Sequence, residues 1–211
     1  MCVDNRWFLL NKDLIQSLTG YKVKRWLGSG SYGAVFSTTD PKIAIKVTTH
    51  GDEVKTLALV QQLREQGLRL PGIINVHLLA HFQTSRKSVS LWARDKGDFF
   101  IIVRELLRPT RSNDFDSWAL NHHMQNMNLF EKCEYKIMVR SVFSKHRSTR
   151  DTILRLAEND IYLWDIRPSN TGMRGKSLVI HDVVAARPLP KVTIPSFGYV
   201  KSNGRAPVKC R

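Results

Sequence analysis

The chain has 211 residues, 42% hydrophobic and 24% charged, which is the profile of one soluble domain, in one or two lobes. Its 33 Lys+Arg against 18 Asp+Glu give a net charge of +15, a field that disfavours cationic ligands and favours acidic proteins, nucleic acid or polyphosphate. No apolar run approaches the ~20 residues of a membrane span, the start is too short in apolar residues for a signal peptide, and Cys2, Cys133 and Cys210 form no CxxC pair, so a disulfide framework is disfavoured and a reducing cytoplasm expected.

In chain order, Lys12 to Leu18 reads as a short amphipathic helix closed by Thr19-Gly20. Strands follow at Tyr21–Leu27, Ala34–Ser37 and Ile43–Val47, the second turn being Thr39-Asp-Pro-Lys. Asp52 is a candidate N-cap for a helix running to about Gln66-Gly67, with Glu53, Leu57 and Val60 on one face. Ile73–Ala80 and Phe99–Leu107 read as further strands, separated by a polar, basic stretch. Arg108 to Asn113 reads as a linker, and residues 114–147 are mostly helical in pattern. Ser148–Glu158 is a clearer helix, capped by Ser148 or Thr149, followed by a short strand at Ile161-Tyr-Leu and, after Met173, another strand in Ser177-Leu-Val-Ile-His-Asp182. At the end, Val192-Thr-Ile-Pro and Phe197-Gly-Tyr-Val are expected to pair as a hairpin against the second half.

Several of these elements carry chemistry. Gly28-Ser-Gly30-Ser31-Tyr-Gly33 sits in the first turn, where glycines let a backbone approach phosphates and offer N–H donors. Lys46 lies on a strand whose neighbours Ala44, Ile45 and Val47 make both faces apolar, so its ammonium needs a partner. Glu53, seven residues on, would supply it from the first helical turn; Glu65, near the far end of that helix, is the alternative. Downstream, Asp165-Ile-Arg167-Pro-Ser-Asn170 follows a helix, and Asp182 comes at the end of a strand, where a hard cation can be held.

Glycine loop, strand lysine, helix glutamate, D-x-x-x-x-N loop and strand-end aspartate, in this order, resemble the signature set of eukaryotic-type protein kinases from about Tyr21 to Asp182. The resemblance implies an α+β, two-lobed kinase-like fold with a β-rich N-lobe (about 20–107), a linker (about 108–113), a reduced, mainly helical C-lobe (about 114–190) and a basic tail (about 191–211). It also implies ATP and Mg²⁺. Gly28, Gly30, Ser31, Gly33, Val35, Ala44, Lys46, Glu105 and Leu107 would bind ATP, with Val35 over the adenine and Glu105 to Leu107 along its edge. Asp165 would orient the attacking hydroxyl, Lys46 with Glu53 would hold the α/β-phosphates, and Arg167 would face the transferring phosphoryl. Asn170 and Asp182 would hold the metal.

There are departures. Leu163-Trp164-Asp165 stands where kinases have His-Arg-Asp, which removes the usual reader of a phosphorylated activation loop. Arg167 replaces the common lysine, and Asp182-Val-Val replaces Asp-Phe-Gly, a relaxation seen in small bacteriophage-encoded kinases. Only residues 183–211 follow, with no Ala-Pro-Glu motif, as in short bacterial effector kinases. The expected function is therefore a minimal Ser/Thr protein kinase, phage-encoded and acting on host proteins in the host cytoplasm. A pseudokinase that docks an acidic protein or nucleic acid through its basic surface is one alternative, and a small-molecule phosphotransferase is another. Thr193, Ser196 and Ser202 are conceivable autophosphorylation sites. After Asp182 every charged residue is basic, from Arg187 to Arg211, so the tail is either solvated or a docking segment.

Overall fold

In the computed structural model, which describes residues 5–30, 32–84, 98–110, 132–186, 189, 192–194 and 196–200, Ile43–Thr48 forms strand β3 and is buried at every position. A strand covered on both faces reads as a continuous apolar run rather than an alternation, and that is the pattern of Ile43-Ala-Ile-Lys-Val. Around it a six-stranded sheet is ordered β1 (Val23–Ser29), β2 (Gly33–Thr38), β3, β5 (Asp98–Glu105), β4 (Val76–Thr84) and β11 (Ser196–Val200). All pairs are antiparallel except β11 with β4. The chain is thus a mixed α and β protein built on a mainly antiparallel sheet.

It divides into two compact units. The first takes in the described parts of Met1–Val54, Val76–Leu106 and Thr193–Arg211. One face of its sheet packs Phe36, Ile43, Ile45, Val47, Phe82, Phe99, Ile101 and Val103 into a core with Ile15 of helix α1 (Asn5–Thr19). Asp40 shapes the β2–β3 turn by accepting the Lys42 N–H at 2.8 Å.

The second unit takes in Lys55–Asn75 and the described parts of Leu107–Val192. It holds most of helix α2 (Gly51–Glu65), α3 (Lys132–Val142) and α4 (Arg147–Glu158). With them are a three-stranded sheet ordered β6 (Arg108–Pro109), β8 (Thr171–Arg174), β9 (Ser177–Ile180), and a small pair of β7 (Leu163–Trp164) with β10 (Val184–Ala185). Tyr135, Val139, Phe143, Ile153, Leu156, Leu163, Val179 and Ile180 are fully buried there.

The local reading is corrected at several places, each for a tertiary reason. Ile73 does not extend β4: it bridges to Ile180, and the Ile74 N–H reaches the Ile180 carbonyl at 2.9 Å. The preceding Gly72 is held by its N–H on Thr152 Oγ1, and a Cβ there would lie 2.6 Å from Thr149 Cα. Strand β5 ends at Glu105 rather than Leu107. Arg108–Pro109, expected in a linker, pairs with Met173 and Gly172, the proline sitting at the sheet edge where its missing N–H costs nothing. Thr149 does not cap α4. The residue at that cap is His146, while Thr149 Oγ1 is buried and donates to the Leu178 carbonyl at 2.6 Å. Helix α2 begins at Gly51, one residue before Asp52, so Asp52 and Glu53 lie in its first turn, where the helix dipole favours carboxylates.

The strand expected at 161–163 is shifted to Leu163–Trp164. The expected C-terminal hairpin is replaced by β11, which runs parallel to β4 with Ser196 opposite His81 and so covers a sheet edge. Much of the helical region expected at 114–147, together with Ser202 and the basic tail from Lys201, lies outside the described residues.

Candidate active site

In the first unit, Gly28 pairs with Val35 and Ser29 with Ala34, and the Gly30 N–H donates to the Gly33 carbonyl at 2.9 Å, closing a tight hairpin. The turn is tethered to β3: the Tyr32 carbonyl accepts from Thr48 Oγ1 at 3.1 Å and from the Thr49 N–H at 2.8 Å, and the Tyr32 ring stacks on His50. The three glycines have different reasons to be glycine. A Cβ at Gly33 would stand 2.5 Å from the Val47 carbonyl oxygen, so Gly33 serves strand packing. Gly28 and Gly30 face open space, and theirs are the positions a ligand can approach. Ser31 lies outside the described residues.

Lys46 points to the sheet face opposite the apolar core. Its Nζ donates to Glu53 Oε1 at 2.8 Å, with the two side chains only 8% and 2% exposed. The seven-residue step suffices because α2 starts three residues after β3 ends, which turns Glu53 back over the strand. Glu65, the alternative partner, is exposed in the last turn of α2. Residues directly opposite on antiparallel strands share a face, so Val35 and Ile102 flank Lys46, while Ser37 and Arg104 flank Ala44. At the end of β5 the Leu106 N–H is occupied by the Lys42 carbonyl at 2.7 Å, which leaves the Glu105 carbonyl on the other edge of the strand. Leu107 belongs to the second unit, where a Cβ on Gly172 would lie 2.6 Å from Leu107 Cβ.

In the second unit Asp165 follows β7 with φ 56°, a left-handed conformation uncommon for any residue but glycine. Asn170 holds it there: its Nδ2 donates to the Asp165 carbonyl at 2.7 Å and to Asp165 Oδ2 at 3.0 Å. Arg167 Nη2 adds a third hydrogen bond to Oδ2 at 3.0 Å. A 3₁₀ turn over Pro168–Asn170, opened by proline, sets the loop's path, and the Asn170 N–H returns to the Arg167 carbonyl at 2.8 Å. On its other side the Asn170 carbonyl accepts the His181 N–H at 2.9 Å and the Asp182 N–H at 3.3 Å. Asn170 therefore ties the Asp165 loop to the segment after β9 that carries Asp182. His181 Nδ1 lies 3.0 Å from Asp182 Oδ1.

Two residues that sequence reasoning did not single out, Tyr135 and Thr56, and Thr149, which it read only as a helix cap, position this unit. Tyr135 on α3 is fully buried, and its Oη donates to the Leu163 carbonyl at 3.0 Å, two residues before Asp165. Burial pushes the phenol well above its ordinary range, so it stays a neutral donor. Thr56 Oγ1 accepts the Ala185 N–H at 3.2 Å, and Thr149 pins β9. In the first unit Arg104 was also passed over. It is 5% exposed, and the available signal was a lone cation ending the apolar run Phe99-Phe-Ile-Ile-Val.

The donor set suits a hard divalent cation. The Asp182 carboxylate and the Asn170 amide oxygen are both hard oxygen donors, and Mg²⁺ in nucleotide sites takes one or two carboxylates and completes its shell with phosphates and water. Among the described residues no cluster of three acidic, His or Cys side chains forms a self-sufficient metal cage. Among the same residues no helix is long and apolar enough to cross a membrane.

No family model matches the chain. No curated protein matches it either. Among solved structures, the PknI kinase domain of M. tuberculosis aligns with 78% of this chain and 58% of its own length, at 18% identity and a TM-score of 0.37.

Proposed function

We propose that the chain is a protein kinase that transfers the γ-phosphoryl group of a nucleoside triphosphate, with ATP the expected donor, to Ser/Thr hydroxyls. The observation that carries the reading is Asn170. One residue holds the strained Asp165 by its side chain and the Asp182 segment by its carbonyl, so a base and a metal-binding carboxylate come from one rigid unit. Strain of the Asp165 kind costs about 1–3 kcal/mol and persists only where the surrounding contacts hold it, as the Asn170 and Arg167 hydrogen bonds do here.

The buried Lys46–Glu53 pair supports the same reading independently. A well-packed apolar pair would serve stability as well or better, so an ammonium held at that place is explained by anionic phosphates. In this reading Gly28 and Gly30 border the phosphates and Lys46 holds them. Asp165 takes or orients the hydroxyl proton, and Arg167, now resting on Asp165, meets the developing charge. Mg²⁺, when bound, neutralises phosphate charge, and Asn170 Oδ1 and Asp182 would hold it. The finer reading, a two-lobed, phage-encoded enzyme acting on host proteins, rests on the sequence resemblance.

The test is transfer of label from a γ-labelled nucleotide with Mg²⁺, comparing wild type with Lys46→Met and Asp182→Asn. Loss of transfer in both variants at an unchanged melting temperature supports the reading. Full activity in Asp182→Asn contradicts it.

A further inference from the structure

The kinase reading leaves the protein substrate undefined, and the solvent side of the Asp165 loop bears on it. The side-chain hydrogen bonds that the Asp165 carboxylate accepts, from Asn170 Nδ2 and Arg167 Nη2, both go to Oδ2. Among the described residues Oδ1 accepts none, so an acceptor hydroxyl meets the carboxylate there. The two oxygens belong to one group, and a residue presenting its hydroxyl to Oδ1 therefore lies alongside the Arg167 guanidinium. The Arg167 side chain is 54% exposed against 31% for Asp165, so it borders the route by which a substrate reaches the base from solvent. A guanidinium has five N–H donors, and the contact with Asp165 uses one of them. At longer range the net charge of +15 gives a field of the same sign as this local cation.

We infer that the acceptor site selects serine or threonine flanked by acidic residues, and that Arg167 reads the flanking carboxylate. The inference rests on the kinase reading above. A carboxylate takes two parallel N–H bonds from a guanidinium fork, and a fork already anchored on Asp165 loses less freedom on binding than a free one. A basic flanking residue would bring a second cation against Arg167 in a field of its own sign, a mismatch that selects against it. The exposed indole of Trp164, next to the base, offers the competing choice of an apolar flank. Meeting the transferring phosphoryl draws on the same charge, but the two roles separate by measurement. The first changes the rate on every substrate alike, and the second changes the ratio between substrates.

The experiment uses the full chain with ATP and Mg²⁺ on three peptides that share one serine and differ only in its two neighbours: aspartate, leucine or lysine. Wild type, Arg167→Met and Arg167→Lys are compared. Wild type should show a kcat/KM about threefold to thirtyfold higher for the aspartate peptide than for the leucine one, and lowest for the lysine one. That advantage should shrink as salt rises. Arg167→Met should be slower on all three and bring the aspartate-to-leucine ratio close to one, while Arg167→Lys keeps part of it. The same ratio is read without turnover by titrating wild type and Arg167→Met with peptides that carry alanine for the serine, in the presence of the β,γ-imido analogue of ATP, so an inactive variant still reports. A wild type with no preference, or one for leucine or lysine, overturns the inference, and a leucine preference would assign the choice to Trp164. An aspartate preference undiminished in Arg167→Met also overturns it, because the general field would then be its source. Absence of label on every peptide and on every protein of a bacterial lysate fails the kinase reading itself, whereas label without the preference fails this inference alone.

Discussion

Replacing Glu53 with leucine removes the carboxylate 2.8 Å from a lysine that is itself 8% exposed. Breaking a buried pair on one side costs about 3–5 kcal/mol, because the remaining charge keeps its desolvation penalty and loses its attraction. For a chain of this size each kcal/mol moves the midpoint by about 2–4 °C, so Glu53→Leu should melt at least about 6–12 °C below wild type. The double variant Lys46→Met, Glu53→Leu removes both charges from a site lined by Val35, Ala44 and Ile102, and should return to within about 1 kcal/mol of wild type or exceed it. Both variants should lose phosphoryl transfer, which separates the pair's catalytic value from its structural value. Calorimetry on wild type, the two single variants and the double variant measures the coupling directly. A Glu53→Leu midpoint within 2 °C of wild type, or a double variant no more stable than Glu53→Leu, would refute the reasoning.

The glycine turn gives a contrast. Gly33→Ala should destabilise the sheet, its Cβ meeting the Val47 oxygen and Thr48 Cβ, whereas Gly28→Ala and Gly30→Ala should melt like wild type yet bind nucleotide more weakly; melting curves beside nucleotide titrations separate the two classes. Asp165→Asn should keep the fold and lower transfer by about 10²–10⁴-fold, the usual worth of a positioned base, when followed by single-turnover labelling. Tyr135→Phe should cost about 1–3 kcal/mol by leaving the buried Leu163 carbonyl without its hydroxyl donor. The folded phenol is raised above its unfolded value near 10, so Tyr135 contributes stability that is whole below about pH 10 and declines as pH rises beyond it. The Phe variant should show a shallower alkaline loss in urea titrations between pH 9 and 11.

Residue types at fixed spacings made the site legible: Lys46 on an apolar strand, Asp165 and Asn170 five apart, and Asp182 after an apolar run. Those spacings are set by short local turns and survive without tertiary information. What could not be read is where long-range partners override local pattern. Ile73 has the makings of a β4 residue, but Gly72 is seated against α4 and the chain pairs with Ile180 instead. Thr149 carries the side chain of an N-cap, yet its hydroxyl has a better acceptor in the Leu178 carbonyl. Arg108 and Pro109 look like a linker because nothing local shows that β8 offers an edge. Tyr135 was passed over for a related reason, since its importance comes from a carbonyl 28 positions away in sequence.

The central claim is settled most directly by incubating the full chain with γ-labelled ATP or GTP and Mg²⁺, with and without a bacterial lysate, and identifying the labelled amino acids. The account predicts acid-stable label on serine or threonine with wild type, removed by Asp182→Asn and by chelation of the metal. Nucleotide bound by wild type with no label on any protein hydroxyl would contradict it.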